Sequence, residues 1–134
     1  MITDEMSIEA LESQYWDDIE FDSYVVRTAQ EARKKPLSKL SKEEIRLLIG
    51  QKIGLKYVIP KAIDLLEQNP LIEVYYYEGD LLSNMLKLSF DDWCDNYDQL
   101  HSFQIILEKN LPSILVSEEI SSDLVKKVLA WKSL

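Results

Sequence analysis

The run Ser41-Lys42-Glu43-Glu44, followed by apolar residues at 45, 48, 49 and 53, constrains the fold of this chain more than any other feature. The serine oxygen can accept from an orphan N–H at a helix start, and the glutamate three residues on can reach back to the serine N–H. The apolar spacing of three and four then carries the helix onward. The same grammar recurs along most of the chain. Ser7 caps a short helix to Tyr15, with Ile8, Leu11 and Tyr15 on one side. After the acidic link WDDIEFD, Asp22 or Ser23 caps a helix over roughly 24–34, with Val25, Ala29 and Ala32 as a weak apolar face. Arg33, Lys34 and Lys35 suit its C-terminus, and Pro36 ends it.

Further on, a helix with Ile59, Ile63 and Leu66 on one face runs to about Gln68, with Pro60 in its first turn. LIEVYYYEG has strand-like composition but no partner strand, so it reads as an extended connector. Asp80 caps a helix that turns Leu81, Leu82, Met85 and Leu86 inward. Ser89 opens the longest helix, with Phe90, Trp93, Tyr97, Leu100 and Leu107 on one side. Pro112 breaks it, and Ser117 opens a last helix aligned by Ile120, Leu124, Val128 and Trp131. The expected fold is all-α: a compact, single-domain bundle of about six or seven helices over residues 1–134.

Two of the three glycines, Gly50 and Gly54, stand four apart in RLLIGQKIGLKYVIP. A phosphate loop needs a preceding strand and a Gly-Lys-Ser/Thr ending, and neither is present. A membrane packing motif needs about 20 apolar residues, which Arg46, Lys52, Lys56 and Lys61 interrupt. The glycines therefore read as a bend between helices over 50–57, with Gly54 at positive φ.

Composition narrows the function. The net charge is −9, which argues against a nucleic-acid binder, since phosphate recognition needs a basic face. The charge is blocked. Residues 1–22 carry eight acids and no Lys or Arg; 23–63 carry ten bases and three acids; 64–98 carry nine acids and one base. Such a chain suits a basic partner, or simply solubility. No stretch is long and apolar enough for a membrane span, the first residues lack a signal-peptide pattern, and the single Cys94 suits a reducing, cytoplasmic setting.

The ordered elements RKKPLSKLSKEEIRLLIGQKIGLKYVIPKAIDLLEQNPL and YYYEGDLLSNMLKLSFDDW resemble a family of bacterial contact-dependent growth inhibition immunity proteins. The likeness covers roughly residues 16–93. Glu78 departs from it, standing where a proline is expected before Gly-Asp. The resemblance implies a cytosolic protein that binds and neutralises a cognate toxin domain, with no catalysis and no cofactor. Many toxins of this kind are nucleases, whose substrate faces are basic. The matching positions are core and turn residues, so the resemblance names a family without locating a binding surface.

Chemistry must be sought elsewhere. His101 and Cys94 are too few for a zinc site, and on its helix His101 reads as a surface or boundary residue. Cys94 reads as inert packing, and no nucleophile–base spacing is evident. Asp91, Asp92, Asp95 and Asp98 lack the glycine of a calcium loop; at helical spacing, Asp91, Asp95 and Asp98 form an acidic stripe, either a solvated face or a docking surface for a basic partner. Tyr75 and Tyr77, with Glu78, read as interface anchors beside it. Alternation in the connector would bury Tyr76 and expose its two neighbours. The expected toxin-binding set is thus Tyr75, Tyr77, Glu78, Asp91, Asp92, Asp95 and Asp98. Two other functions stay open: a helical adaptor for another basic intracellular protein, and an enzyme with an unfamiliar carboxylate site, which would need acids of raised pKa in a pocket.

Overall fold

The structure is a computed structural model and describes residues 2–16, 23–77, 79–116 and 126. Among the described residues there are six α-helices and no strand: α1 (Ile8–Glu12), α2 (Tyr24–Lys34), α3 (Lys42–Gln51), α4 (Leu55–Gln68), α5 (Asp80–Leu86) and α6 (Tyr97–Val116). Short 3₁₀ turns lie at Ile2–Glu5, Leu37–Lys39 and Phe90–Trp93. The all-α expectation is met. The helix expected from Ser117 onward, the acidic link 17–22 and Glu78 lie outside the described residues.

Helix α3 is the hub. It packs on α2, α4 and α5, while α4 packs on α6 and α1 on α2. The apolar spacing explains this: Ile45, Leu48 and Ile49 of α3 are buried with Val58, Ile59, Ala62, Ile63 and Leu66 of α4. Leu81, Leu82 and Met85 of α5 are fully buried, so this short helix sits inside the core rather than on it. The capping box at Ser41 is formed, with Glu44 N–H donating to Ser41 Oγ at 3.1 Å and Ser41 N–H to Glu44 Oε1 at 3.0 Å.

The glycine bend is tighter than the sequence suggests. Helix α3 runs through Gly50, and the turn is confined to residues 52–54. Lys52 takes a left-handed conformation (φ 58°), and so does Gly54 (φ 60°). A Cβ on Gly54 would stand 2.9 Å from Ile8 Cγ2, so the position is closed by conformation and by space. Gly50 serves close packing instead: a Cβ there would meet Asn84 Nδ2 at 3.0 Å, and that amide donates to the Arg46 carbonyl.

Both prolines inside helices behave differently from expectation. Pro60 is the sixth residue of α4, beyond the first turn, so its missing N–H frees the Lys56 carbonyl. Asn96 Nδ2 fills that gap, donating to Lys56 O at 3.1 Å. Pro112 does not break the chain, because α6 continues to Val116. Glu108, whose carbonyl loses its partner there, lies on the exposed side of the helix, where water can replace one lost bond.

At the N-terminus, α1 stops at Glu12 because Ser13 is left-handed (φ 53°), and Tyr15 is exposed rather than aligned with Ile8 and Leu11. The second, basic block does neutralise part of the first, acidic one. Arg33, buried at the end of α2, donates to Glu12 Oε1 at 2.6 Å and to the Gln14 carbonyl, with its guanidinium 4.4 Å from the Trp16 ring centre. Lys61 pairs with Asp4 at 2.9 Å.

Candidate protein-docking face

The connector between α4 and α5 carries three consecutive tyrosines, and its shape is set by one carboxylate. Asp80 does not cap α5, as its sequence position suggests; Gly79 is the cap residue, at φ 84°. The Asp80 side chain turns back instead and accepts the main-chain N–H groups of Val74, Tyr75 and Tyr76 at 2.8, 2.9 and 2.9 Å. Arg46, from α3, stands 3.3 Å from Asp80 Oδ2. Asp80 is fully buried, and burial alone would push its pKa up. The three N–H donors and the nearby guanidinium outweigh it and hold the carboxyl below its ordinary value.

With the backbone turned around Asp80, there is no alternation. Tyr75, Tyr76 and Tyr77 are all exposed, so the expected burial of Tyr76 does not occur. Tyr76 packs laterally: the Arg46 guanidinium lies 4.7 Å over its ring, and the Tyr75 ring meets it edge-on at 4.7 Å. Three adjacent aromatic side chains are thus held in solvent on a fixed backbone.

The aspartate run takes a different form from the expected stripe. Phe90–Trp93 is a 3₁₀ turn, the chain is non-helical at Cys94–Asn96, and α6 begins only at Tyr97. The expected apolar side therefore splits. Trp93 and Phe103 are buried and stacked, with ring centres 5.4 Å apart, whereas Phe90 and Tyr97 are exposed and pair with each other at 5.5 Å. The break is anchored by Asn96, which is buried and reaches Lys56.

Among the acids, Asp91, Asp95 and Asp98 are exposed. Asp92 is committed internally. It closes a capping box with Ser89, accepting that N–H at 2.8 Å, and pairs with Lys52 Nζ at 2.9 Å. Its partial burial opposes ionisation, and Lys52 and Ser89 overcome this to lower its pKa. Cys94 is exposed rather than packed, and His101 is exposed as expected. Of the expected residues that are described, Tyr75 and Tyr77 fall in the connector and Asp91, Asp92, Asp95 and Asp98 in the Phe90–Asp98 turn. In the chain these two segments flank the seven-residue α5.

Sequence reasoning missed the residues that neighbour the tyrosines. Tyr24, Thr28, Ser41, Glu43 and Leu47 line a cleft with Tyr75 and Tyr76. They come from α2, α3 and the connector, and no local pattern marks segments so far apart as neighbours.

Among the described residues, no group of three or more His, Cys, Asp and Glu side chains is placed to hold a metal ion. None of their helices is long and apolar enough to cross a membrane. Comparison with family models returns the CDI immunity proteins, matched over residues 10–103. The chain belongs to the CDI immunity proteins. The match spans α2 to α5, the tyrosine connector and the Phe90–Trp93 turn, and ends within α6. No curated protein matches the chain in sequence. In this CDI immunity protein, the matched segment contains both groups of exposed aromatic and acidic residues.

Proposed function

We propose that this CDI immunity protein binds one cognate toxin domain in the cytoplasm and neutralises it by covering its surface. It acts by occlusion and electrostatic fit, without catalysis or cofactor, and residues 1–134 act as one unit. The docking face consists of Tyr75 and Tyr77 with Glu78, Asp91, Asp95 and Asp98; Asp92 supports it by fixing the turn through Lys52. The partner's contact surface is basic. Family membership supports the class of function. The observation that carries the surface is the tyrosine connector, whose three aromatic side chains are exposed while Asp80 fixes the backbone beneath them. Large aromatic area on a preset backbone binds with little ordering cost.

The test is co-expression with the C-terminal domain encoded by the adjoining toxin gene, scored for growth, with pull-down of the two purified proteins. Rescue and a stable complex are the expected result. Rescue without any complex would reject occlusion, and absence of rescue would reject the pairing.

A further inference from the structure

The cleft beside the tyrosine connector has a definite chemistry. Its volume is about 160 Å³, below the roughly 300–1,000 Å³ of a small-ligand pocket and near the space of about five waters. That suits a single long side chain. Three walls are aromatic and largely exposed: Tyr24 on α2, and Tyr75 and Tyr76 on the connector.

The charges in the walls are unevenly committed. Arg46 is held by Asp80 and by the Tyr76 ring. Glu44 is held by the Ser41 N–H and, at 2.9 Å, by Lys35. Glu43 is exposed, and among the described residues it makes no ion pair. One uncompensated carboxylate therefore stands among tyrosine rings whose faces attract cations.

We propose that this cleft receives one arginine side chain from the toxin domain, stacked on the Tyr75 and Tyr24 rings and paired with Glu43. The inference rests on the reading that the chain binds a toxin. Arginine fits better than lysine because its planar guanidinium can stack on a ring and bind a carboxylate through two N–H groups at once. Arginine is also among the residues enriched at interface hot spots, together with the tyrosines that would receive it. The site is built from α2, α3 and the connector, without residues of the acidic turn at 90–98.

Two measurements test it with the full chain. In the first, N-acetylarginine amide is titrated against the labelled protein alone, and main-chain amide shifts are followed by NMR. Saturable shifts at Tyr24, Glu43 and Tyr75, absent with N-acetylglutamine amide, are expected; shifts elsewhere or none would overturn the cleft assignment. In the second, the cognate toxin domain is titrated against the parent, Glu43→Gln and Tyr24→Ala, with melting curves to confirm intact folds. A rise of about tenfold in Kd is expected for each, the worth of one charge-assisted contact at Glu43 and of one desolvated cation–ring stack at Tyr24. Unchanged Kd for both variants would overturn this inference and leave toxin binding standing. No binding by the parent would instead overturn toxin binding, and this inference with it.

Discussion

Replacing Asp80 by asparagine keeps the side-chain shape and removes the charge that organises the tyrosine connector. Its Oδ2 accepts from Tyr75 and Tyr76 and faces Arg46, while its Oδ1 accepts from Val74. Asparagine has a single oxygen. In the better orientation that oxygen keeps the Oδ2 contacts, and the amide NH₂ then faces the Val74 N–H, donor against donor. An unsatisfied buried N–H costs about 1–3 kcal/mol. Weaker neutral bonds to the tyrosine N–H groups and the loss of charge beside Arg46 bring the total to about 3 kcal/mol. For a chain of this length that is a fall in Tm of roughly 10 °C.

The carboxyl's pKa is lowered in the folded state, so its stabilisation is full at neutral pH. It fades as pH falls below about 4, the unfolded value, and is lost as pH passes through the folded one. The gap between parent and Asp80→Asn, measured by thermal and urea unfolding, should therefore be widest at pH 7 and shrink steadily toward pH 3. A Tm within about 2 °C of the parent at pH 7 would refute the account of the connector, as would a gap that stays constant with pH.

Gly54→Val should destabilise by about 3 kcal/mol, since it adds left-handed strain and drives a methyl group into Ile8; a melting curve that overlays the parent's would contradict this. Asn96→Ala should cost about 1–2 kcal/mol in urea unfolding by leaving the Lys56 carbonyl without its donor. Asp91→Asn with Asp95→Asn should leave Tm unchanged, because exposed carboxylates contribute little to stability. The same pair should slow association with the toxin domain and flatten its salt dependence, read by stopped-flow or surface kinetics at two salt concentrations. Unchanged kinetics would move the interface off the 90–98 turn.

What the sequence revealed and what it concealed divide by range. The cap at Ser23, one of two adjacent candidates with Asp22, the capping box at Ser41 and the positive φ of Gly54 depend on residues within a few positions of each other, and each is legible. The tyrosine stretch is a connector without a partner strand, as its sequence suggests, but neither extension nor alternation holds at 75–77, because both assume a straight strand and Asp80 folds the backbone back on itself. The 90–98 stripe failed for a longer-range reason. Its periodicity is helical, yet Asn96 leaves the helix to serve Lys56, 40 residues away. Pro112 misled in the opposite direction: its lost bond falls on an exposed face, and α6 runs on. The two groups of the proposed docking face were both visible in composition. The cleft beside Tyr75 was not, since its walls meet only through tertiary packing.

The hold that Asp80 exerts on the connector has an evolutionary consequence. It grips Tyr75 and Tyr76 by their main-chain N–H groups, which every residue except proline possesses. Both side chains are largely exposed, and neither supplies an atom to the grip. Residues 75 and 76 can therefore be rewritten while the loop keeps its contour; with the connector as the proposed docking surface, new recognition can arise by single substitutions without first passing through an unfolded ancestor.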